Sequence, residues 1–497
     1  MTITPPRTVS PAIVLFTVSM CTMLYSLTVT IANVALPQLQ GALSATPDQV
    51  SWIITLNIVA TAIVTPVTGW FVARYGQRQV MLVSIIGFTV CTLFCAGADA
   101  LGPLLLYRIG QGAFGAPLVP LAQAIVVGTY APEERAKAQG IFGMAVVLGP
   151  AIGPVLGGYL AEEYNWRWVF LLLLPLCAVS LACTYAFIFD TGERQKTSLD
   201  WTGFLTLSIA VTCMQLVMDR GERLDWFESP QILVLSALLL WAFYTFVVHT
   251  LTTEEPFISP TILLDRNFFV GLILVFVYGM LNFTPIVLFP GMLQNLKGWP
   301  DSLIGNVLAA RGIGMIAGFY IAGKMGNLDP RVGLAAGLLL IGYSGVEMAG
   351  FDLNVPDWLV TWTAIAQGIG CGVMWVPLSM VAFATLKPQL LPQASSIFHL
   401  LRNFGSSIFI SISVMAVIRT SKISYAELTE HISPFNETLR LGSAMGAWSV
   451  DSLMGLAGIS AEIDRQSQMI GYANAFVLYT VLCFATLPFL LFVRIKN

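Results

Sequence analysis

The stretch LGPAIGPVLGGY, residues 148–159, decides how this chain folds, because it places glycine and proline at helical spacing within an apolar run of membrane length. The residues concerned are Gly149, Pro150, Gly153, Pro154, Gly157 and Gly158. Glycine at this spacing lets one helix backbone approach another closely inside lipid, and proline bends the helix. The stretch therefore predicts a tightly packed seam on a membrane helix, and we expect it to seal two halves of the molecule against each other.

The composition of the whole chain agrees with a membrane location. The 497 residues are 56% hydrophobic and 10% charged, and the mean hydropathy is +0.79. These values lie outside the range of soluble globular proteins and predict a polytopic membrane protein. The net charge of −3 offers no basic surface for nucleic acid. The eight cysteines lack the spacing of metal ligands or of a secreted disulfide framework.

Fourteen apolar runs are long enough to cross about 30 Å of hydrocarbon, and each must be helical because lipid offers no partner for free backbone groups. An even number of spans places both termini on one side of the membrane. Most arginines and lysines between the spans fall on that side, which predicts cytoplasmic N- and C-termini. The one long connection, residues 420–470, falls on the outer face with helical patterns at both ends. We interpret it as a candidate docking surface or as a passive loop covering the bundle.

A weak internal repeat divides the chain into two halves. RIGQGAFGAPLVP at residues 108–120 resembles AIAQGIGCGVMWVP at residues 364–377. Two six-span halves with two spans inserted between them explain the spacing of the repeat and the total of fourteen. The predicted fold is all-α, with one six-helix bundle at residues 12–190, two inserted transmembrane helices at residues 200–250, and a second six-helix bundle at residues 268–494 that includes the outer loop. Two halves around a midplane cavity are typical of a transporter.

No motif of a hydrolase, a phosphate-binding loop or a metal site is present, so an enzyme, a cofactor and a bound metal are not expected. Ionisable groups inside the spans are costly in lipid and are therefore the functional candidates. Arg108, which lies beside Gln111, can form several hydrogen bonds from one wall of a cavity, and Arg311 and Arg402 are further candidates. An internal hydrogen-bond anchor is the alternative for each arginine. The remaining polar candidates for the cavity lining are Asn57, Asn282 and Gln367.

Glu347 is the one carboxylate that falls clearly inside a span. A carboxyl group buried in lipid can exchange protons near neutral pH, so Glu347 and Arg108 are the candidates for proton coupling. The alternative for Glu347 is an interfacial charge that reaches the lipid headgroups. Because arginine outnumbers carboxylate in the predicted interior, we expect the cavity to favour anionic or neutral amphiphiles over cations.

Several motifs span nearly the whole chain. They are TIANVALP at residues 30–37, GWFVARYGQR with Gly69, Arg74, Gly76 and Arg78, LYRIGQG at residues 106–112, the glycine–proline stretch of the fifth span, and AELTEHISPFN at residues 426–436. Together they make the chain resemble the major facilitator superfamily, in particular its fourteen-span drug:proton antiporters of the EmrB/QacA type, and most closely the EmrB branch.

The resemblance implies multidrug efflux driven by the proton motive force, with two halves rocking about a central site in a bacterial inner membrane. Its expected partners are small-molecule substrates, protons, membrane lipid, a periplasmic adaptor of the EmrA type and an outer-membrane channel. The turn from Gly69 to Arg78 can latch the halves through charge contacts with opposing helix ends, or Arg74 and Arg78 can simply follow the positive-inside rule. The alternatives are an exporter of one endogenous anion, such as a siderophore or fatty acid, and a membrane sensor or scaffold that transports nothing.

Two positions depart from the family pattern. Thr28 replaces the acidic residue usual in the first span, and Ala73 replaces the acidic residue usual in the turn after the second span. Threonine cannot exchange a proton at physiological pH, so the usual coupling assignment fails. Three alternatives stay open, namely Glu347, Arg108 with a bound anionic substrate, and a proton carried by the substrate itself.

Overall fold

A computed structural model describes residues 9–190, 198–254, 256–326, 328–433, 436 and 452–493. All the regular secondary structure in these residues is helical. Fourteen segments are long and apolar enough to cross a membrane. The predictions of an all-α fold and of fourteen spans are therefore confirmed. Because the spans alternate in direction, Ser10 and Val493 lie on one face, called the terminal face below, and the opposite face is called the distal face.

The first bundle consists of six spans. Its helices are α1 (Pro11–Val34), α2 (Leu36–Ala42), α3 (Pro47–Tyr75), α4 (Gln77–Ala96), α5 (Leu101–Gly115), α6 (Leu118–Thr129), α7 (Arg135–Glu163), α8 (Arg167–Leu171) and α9 (Leu173–Phe187). Helices α5 and α6 form a single span that is interrupted next to Pro117, which has no backbone N–H to continue the helical hydrogen bonding. Helices α8 and α9 likewise share one span.

The second bundle follows the two inserted helices. The inserted helices are α10 (Trp201–Arg220) and α11 (Pro230–Thr252), and the short α12 (Pro260–Leu263) leads into the second bundle. That bundle contains α13 (Arg266–Lys297), α14 (Asp301–Lys324), α15 (Pro330–Ala349), α16 (Asp357–Phe383), α17 (Leu391–Glu430) and α18 (Leu453–Thr486).

The outer connection is helical at both ends, as its sequence pattern predicts. Helix α17 continues to Glu430 and α18 begins at Leu453, so these helices are continuous with the spans on either side. The Tyr425 hydroxyl lies 2.9 Å from the Ser460 Oγ, which ties these two extensions together. Mutual packing thus keeps both polar extensions helical beyond the membrane. Residues 437–451, which join them, lie outside the described residues.

The glycine–proline stretch packs inside the first bundle. A Cβ atom at Gly149 would come within 2.6 Å of the Leu27 backbone nitrogen, and one at Gly157 within 2.7 Å of the Ile31 Cγ1. Gly153 likewise faces α1. The predicted close seam is therefore present: its described glycine contacts join α7 to α1, and Ala151 between them meets Gly312 of the second bundle. The Pro154 side chain lies outside the described residues.

The two bundles meet through the part of α7 nearer the terminal face. A Cβ atom at Gly140 would lie 2.8 Å from the Phe319 carbonyl oxygen on α14, and one at Gly312 on α14 would lie 2.8 Å from the Ala151 Cβ. Helix α7 therefore has two glycine faces, one for its own bundle and one for the other. Because both faces follow the same helical period, the sequence could not tell which face meets which partner.

Helix α10 links the bundles near the distal face. The Thr55 hydroxyl on α3 donates to the Asp219 Oδ2 at 2.7 Å, and the Ser411 hydroxyl on α17 donates to the Met218 carbonyl oxygen at 2.9 Å. Helix α11 is exposed over most of its length and packs mainly on α10. Of the two inserted helices, α10 therefore lies between the bundles and α11 lies at the periphery.

Candidate functional site

Arg108 lies at the centre of a polar network inside the first bundle. Its side chain is 1% exposed, and its guanidinium donates to the Ile53 carbonyl oxygen at 3.1 Å and to the Gln111 Oε1 at 2.5 Å. Gln111 in turn donates to the Thr92 hydroxyl at 2.7 Å, and the Asn57 amide donates to the Arg108 carbonyl oxygen at 2.9 Å. These side chains bind one another and tie α3, α4 and α5 together.

Arg311 forms the corresponding network in the second bundle. Its Nε donates to the Gln367 Oε1 at 2.6 Å, and its Nη2 donates to the Asn282 carbonyl oxygen at 2.6 Å and to the Asn282 Oδ1 at 2.7 Å. The Gln367 amide nitrogen reaches the Leu281 carbonyl oxygen at 3.0 Å and the Tyr479 hydroxyl at 3.1 Å. Arg311 therefore joins α13, α14 and α16 within one bundle.

The two networks reproduce the internal repeat in three dimensions. Gly112 on α5 packs against the carbonyl oxygen of Asn57, and Gly368 on α16 packs against the carbonyl oxygen of Arg311. Asn57 and Arg311 thus occupy matching places, although Arg108 supplies the guanidinium in the first bundle from a different helix. Both halves therefore keep the close approach of two helix backbones. The arginine, however, lies on α5 in the first bundle and on α14 in the second.

Arg402 differs from the other two arginines. Its Nη2 donates to the neighbouring Asn403 Oδ1 at 3.2 Å, but its buried Nε has no hydrogen-bond partner among the described residues. The guanidinium carbon lies 5.8 Å from the centre of the Trp375 ring and 5.9 Å from that of Phe283. The Tyr278 ring continues this aromatic wall, 5.0 Å from Trp375. Among the three candidate arginines, Arg402 is therefore the one whose buried Nε has no described partner.

None of the three arginines forms an ion pair in the described part of the chain. A guanidinium in a low-dielectric interior attracts an anion strongly when no carboxylate already neutralises it. Carbonyl and amide oxygens stabilise Arg108 and Arg311 instead. The described interior therefore contains three arginines that no described carboxylate neutralises.

His399 lies one helical turn from Arg402, and sequence reasoning did not select it. Its ring is 2% exposed and lies 6.0 Å from the Trp375 ring. Its Nε2 is hydrogen-bonded to the Gln123 Oε1 on α6, in the other bundle, and its Nδ1 has no partner among the described residues. In the sequence, His399 could have been recognised as an imidazole inside a span, three residues before the candidate Arg402. Its pairing with Gln123 could not, because the two residues are far apart in the chain.

The turn between α3 and α4 is held from within the first bundle. Gly76 has φ +87°, and a Cβ atom there would come within 2.5 Å of the Asp190 carboxylate. That carboxylate accepts the Arg78 backbone N–H at 3.0 Å, and the Arg78 Nη2 donates to the Tyr185 carbonyl oxygen at 2.7 Å. Asp190, just after the sixth span, thus supplies a carboxylate beside this turn, where Ala73 replaces the acidic residue usual in the family.

Gly69, just before this turn, makes a close contact between the bundles. Gly69 lies against the backbone of Gln393 at the start of α17. The Arg74 guanidinium carbon lies 5.6 Å from the Trp70 ring on its own helix. Among the described contacts, the latch expected of this turn is therefore a close approach of two backbones.

Glu347 lies in the last turn of α15 and is half-buried. Helix α15 packs mainly on α16 and α18, away from the contact between the bundles. This position suits a carboxylate that reaches the lipid headgroups. It does not bring Glu347 to Arg402 or to His399.

The architecture of two related bundles agrees with the family that the chain matches. Residues 18–410 match the model of the family described as the Major Facilitator Superfamily. The chain belongs to the major facilitator superfamily. Proteins of this superfamily are transporters, so this chain is a multi-pass membrane transporter of small molecules and not an enzyme. The resemblance that the sequence motifs indicate is confirmed.

Within the superfamily, the chain is 29% identical over 483 residues to the "Multidrug export protein EmrB" of Escherichia coli (strain K12), covering 95% of this chain and 94% of the relative. It is 28% identical over 464 residues to the "Fatty acid resistance protein FarB" of Neisseria gonorrhoeae, covering 92% and 91%. The crystal structure of the human organic anion transporter MFSD10 shares the fold, with a TM-score of 0.61, 16% identity and coverage of 97% of this chain and 100% of that one.

Proposed function

We propose that this transporter is a proton-coupled multidrug exporter of hydrophobic, acidic amphiphiles across the bacterial inner membrane, with both termini in the cytoplasm. Similarity to EmrB over nearly the full length of both chains supports multidrug export. The similarity to FarB, whose name refers to fatty acid resistance, keeps a dedicated exporter of an endogenous anion as the second candidate.

The observation that carries the proposed substrate class is Arg402. Its Nε lacks a partner, and no carboxylate among the described residues neutralises it. The guanidinium can donate a charge-assisted hydrogen bond to the carboxylate of a substrate. The rings of Trp375 and Phe283 offer an apolar surface for the rest of an amphiphile. A cationic ligand would meet the same guanidinium without a counter-charge.

We also propose that the distal extensions of α17 and α18 bind a periplasmic adaptor of the EmrA type, which in turn joins an outer-membrane channel. Leu453 is 90% exposed and Met454 is 85% exposed at the start of α18. Apolar side chains held beyond the membrane span and open to solvent are typical of a protein–protein contact. Replacing both with Asp should weaken adaptor binding and leave transport in vesicles unchanged.

Transport into proteoliposomes under an imposed proton gradient tests the substrate class. Three probes with one carbon skeleton are compared, namely an aryl-alkyl carboxylic acid, its methyl ester and the corresponding amine. We expect wild type to prefer the acid, and Arg402→Gln to lose at least about tenfold of acid transport, the equivalent of one charge-assisted hydrogen bond. Ester transport should change little.

The exposed Arg419 on the same helix provides the matched control. Arg419→Gln removes the same charge from α17 and should leave the preference for the acid intact. Equal transport of the amine and the acid by wild type would contradict the proposed substrate class. If few unrelated compounds compete with the acid for transport, the dedicated exporter is favoured. If wild type shows no counterflow of substrate, a sensor or scaffold is favoured.

A further inference from the structure

His399 occupies a particular place along α17. Gln393, at the start of this helix, packs against Gly69 of the first bundle near the terminal face. His399 follows after less than two turns and is hydrogen-bonded to Gln123 of the first bundle. Arg402, with its unpartnered Nε, follows after one further turn toward the distal face. The imidazole therefore lies between the closed contact of the bundles and the proposed substrate site.

The hydrogen bond to Gln123 defines which imidazole nitrogen can take up a proton. The Gln123 Oε1 is an acceptor, so the His399 Nε2 carries the hydrogen and donates it across the interface. In the neutral ring, Nδ1 then has a free lone pair, and no described residue donates to it. The Gln123 Nε2 is also without a described partner, so both ends of this pair have unused polar atoms.

A proton added at Nδ1 would find no acceptor in this arrangement. Arg402, on the same helix, is the charged neighbour, and it repels an imidazolium. From α6 the facing group is the neutral amide of Gln123, and the Tyr278 ring of α13 contacts Trp375, as His399 does.

Among the described contacts of the other helices that pack on α17, none places a charged side chain on His399. Helix α3 approaches it at Gly69, which has no side chain. Helix α10 reaches it at Ser407 and Ser411, and α18 approaches it through Gly471, at Val417 and Ser421. Within the described residues, this closed contact offers the ring one acceptor, the Gln123 Oε1, and no acceptor for a second N–H at Nδ1.

We infer that His399 is the proton-binding residue of this transporter and that a proton on its Nδ1 weakens the contact of the bundles at the terminal face. The inference rests on the proposed proton-coupled export. In an exporter, a proton that arrives from the distal side must favour the return to the state open at the terminal face. An imidazolium at this contact acts in that direction, because the neutral ring stabilises the closed state.

The pH dependence of transport tests the inference with His399→Gln. Gradient-driven export of the aryl-alkyl acid should fall at least about tenfold in this variant, whereas substrate counterflow without a gradient should persist. Wild-type export should vary between about pH 5.5 and pH 8, the range in which imidazole titrates. Counterflow by His399→Gln should be flat over that range. Loss of counterflow together with export would mean a role in folding or substrate binding and would overturn the inference.

Two further variants make the result specific. Gln123→Leu keeps the imidazole, removes its partner in the other bundle and should shift the pH midpoint of export. The exposed His431 is the matched control, and His431→Gln should leave export and its pH profile unchanged. An unaltered pH profile in Gln123→Leu would contradict the proposed role of the interbundle hydrogen bond.

Failure of the inference can be told apart from failure of the proposed function. If wild type does not export the acid under a proton gradient, the proposed function is wrong. If wild type exports it and His399→Gln does so equally well, with the same proton release on substrate binding, the inference is wrong. Uncoupling by Glu347→Gln with His399→Gln unaffected would place the proton at the distal end of α15 and would also overturn it.

Discussion

Gly69 on α3 lies directly against the backbone of Gln393 on α17, and a Cβ atom at Gly69 would come within 2.7 Å of the Gln393 Cα. The Gln393 amide also donates to the Phe257 carbonyl oxygen at 3.0 Å, so the start of α17 is held from a second side. A main-chain atom cannot rotate out of the way as a long side chain can. This contact joins the two bundles near the terminal face through uncharged atoms.

Gly69→Ala should therefore shift the transporter away from the state that is closed at the terminal face. We expect longer distances between spin labels at the terminal ends of α3 and α17, measured by electron–electron double resonance in a cysteine-free background. Gly102 on α5 provides the control, because a Cβ atom there would have no neighbour within 4 Å. Unchanged distances in Gly69→Ala would show that the contact does not control closure.

Arg108→Gln should destabilise the first bundle. The change leaves the Ile53 carbonyl oxygen and the Gln111 side chain without their donor in a buried site, which costs about 1–3 kcal/mol. Thermal unfolding in detergent should show a lower Tm, while substrate affinity per folded molecule stays the same. An unchanged Tm with lost affinity would instead make Arg108 a ligand contact. Arg419→Gln is again the control.

Asp200 joins the terminal ends of the inserted helices. Its carboxylate accepts the Gly203 backbone N–H at 2.9 Å and the Phe257 backbone N–H at 3.0 Å, and it lies 2.8 Å from the His249 Nε2. Partial burial acts to raise the pKa of Asp200, but the hydrogen bonds from Gly203, His249 and Phe257 outweigh it and hold the pKa below its usual value. The ionised carboxylate therefore stabilises this joint.

Asp200→Asn should lower the free energy of unfolding by about 1 kcal/mol at pH 7, because the neutral amide can still cap the helix but no longer accepts charge-assisted hydrogen bonds from Phe257 and His249. A depressed pKa stabilises the fold fully above the unfolded-state value of about 3.9 and progressively less as the pH falls through the folded-state value. The difference between variant and wild type should therefore shrink below about pH 4. The exposed Asp464 is the control, and a pH-independent difference would contradict the assignment.

Asp48 and Arg220 form the ion pair that holds α10 to α3 at the distal face. The Arg220 Nη2 donates to the Asp48 Oδ1 at 2.6 Å, and the guanidinium carbon lies 4.2 Å from the Trp52 ring. A double-mutant cycle of Asp48→Asn and Arg220→Gln should give a coupling energy of about 0.2–1 kcal/mol that falls at high salt. No coupling at low salt would mean that the Trp52 contact and the hydrogen bond from Thr55 to Asp219 hold the helix without help from this ion pair.

Much of the fold could be predicted from the sequence for a local reason. A span is recognised by the apolar character of about 20 consecutive residues, which does not depend on what the span packs against. The repeat around Gly112 and Gly368 could also be read directly, because a close backbone approach requires glycine in both halves. The polar candidates were correctly placed inside the spans for the same reason.

The sequence by itself thus determined how many helices cross the membrane, where their ionisable residues lie and that two related halves exist. Only the tertiary structure decided that Arg108 and Arg311 bind within their own bundles, that Arg402 keeps a free donor, and that the glycine–proline stretch packs on α1. It likewise paired His399 with Gln123, 276 residues away. The reason is physical: hydropathy is a local property, whereas the rotation of each helix and the choice of its partner depend on packing between distant segments.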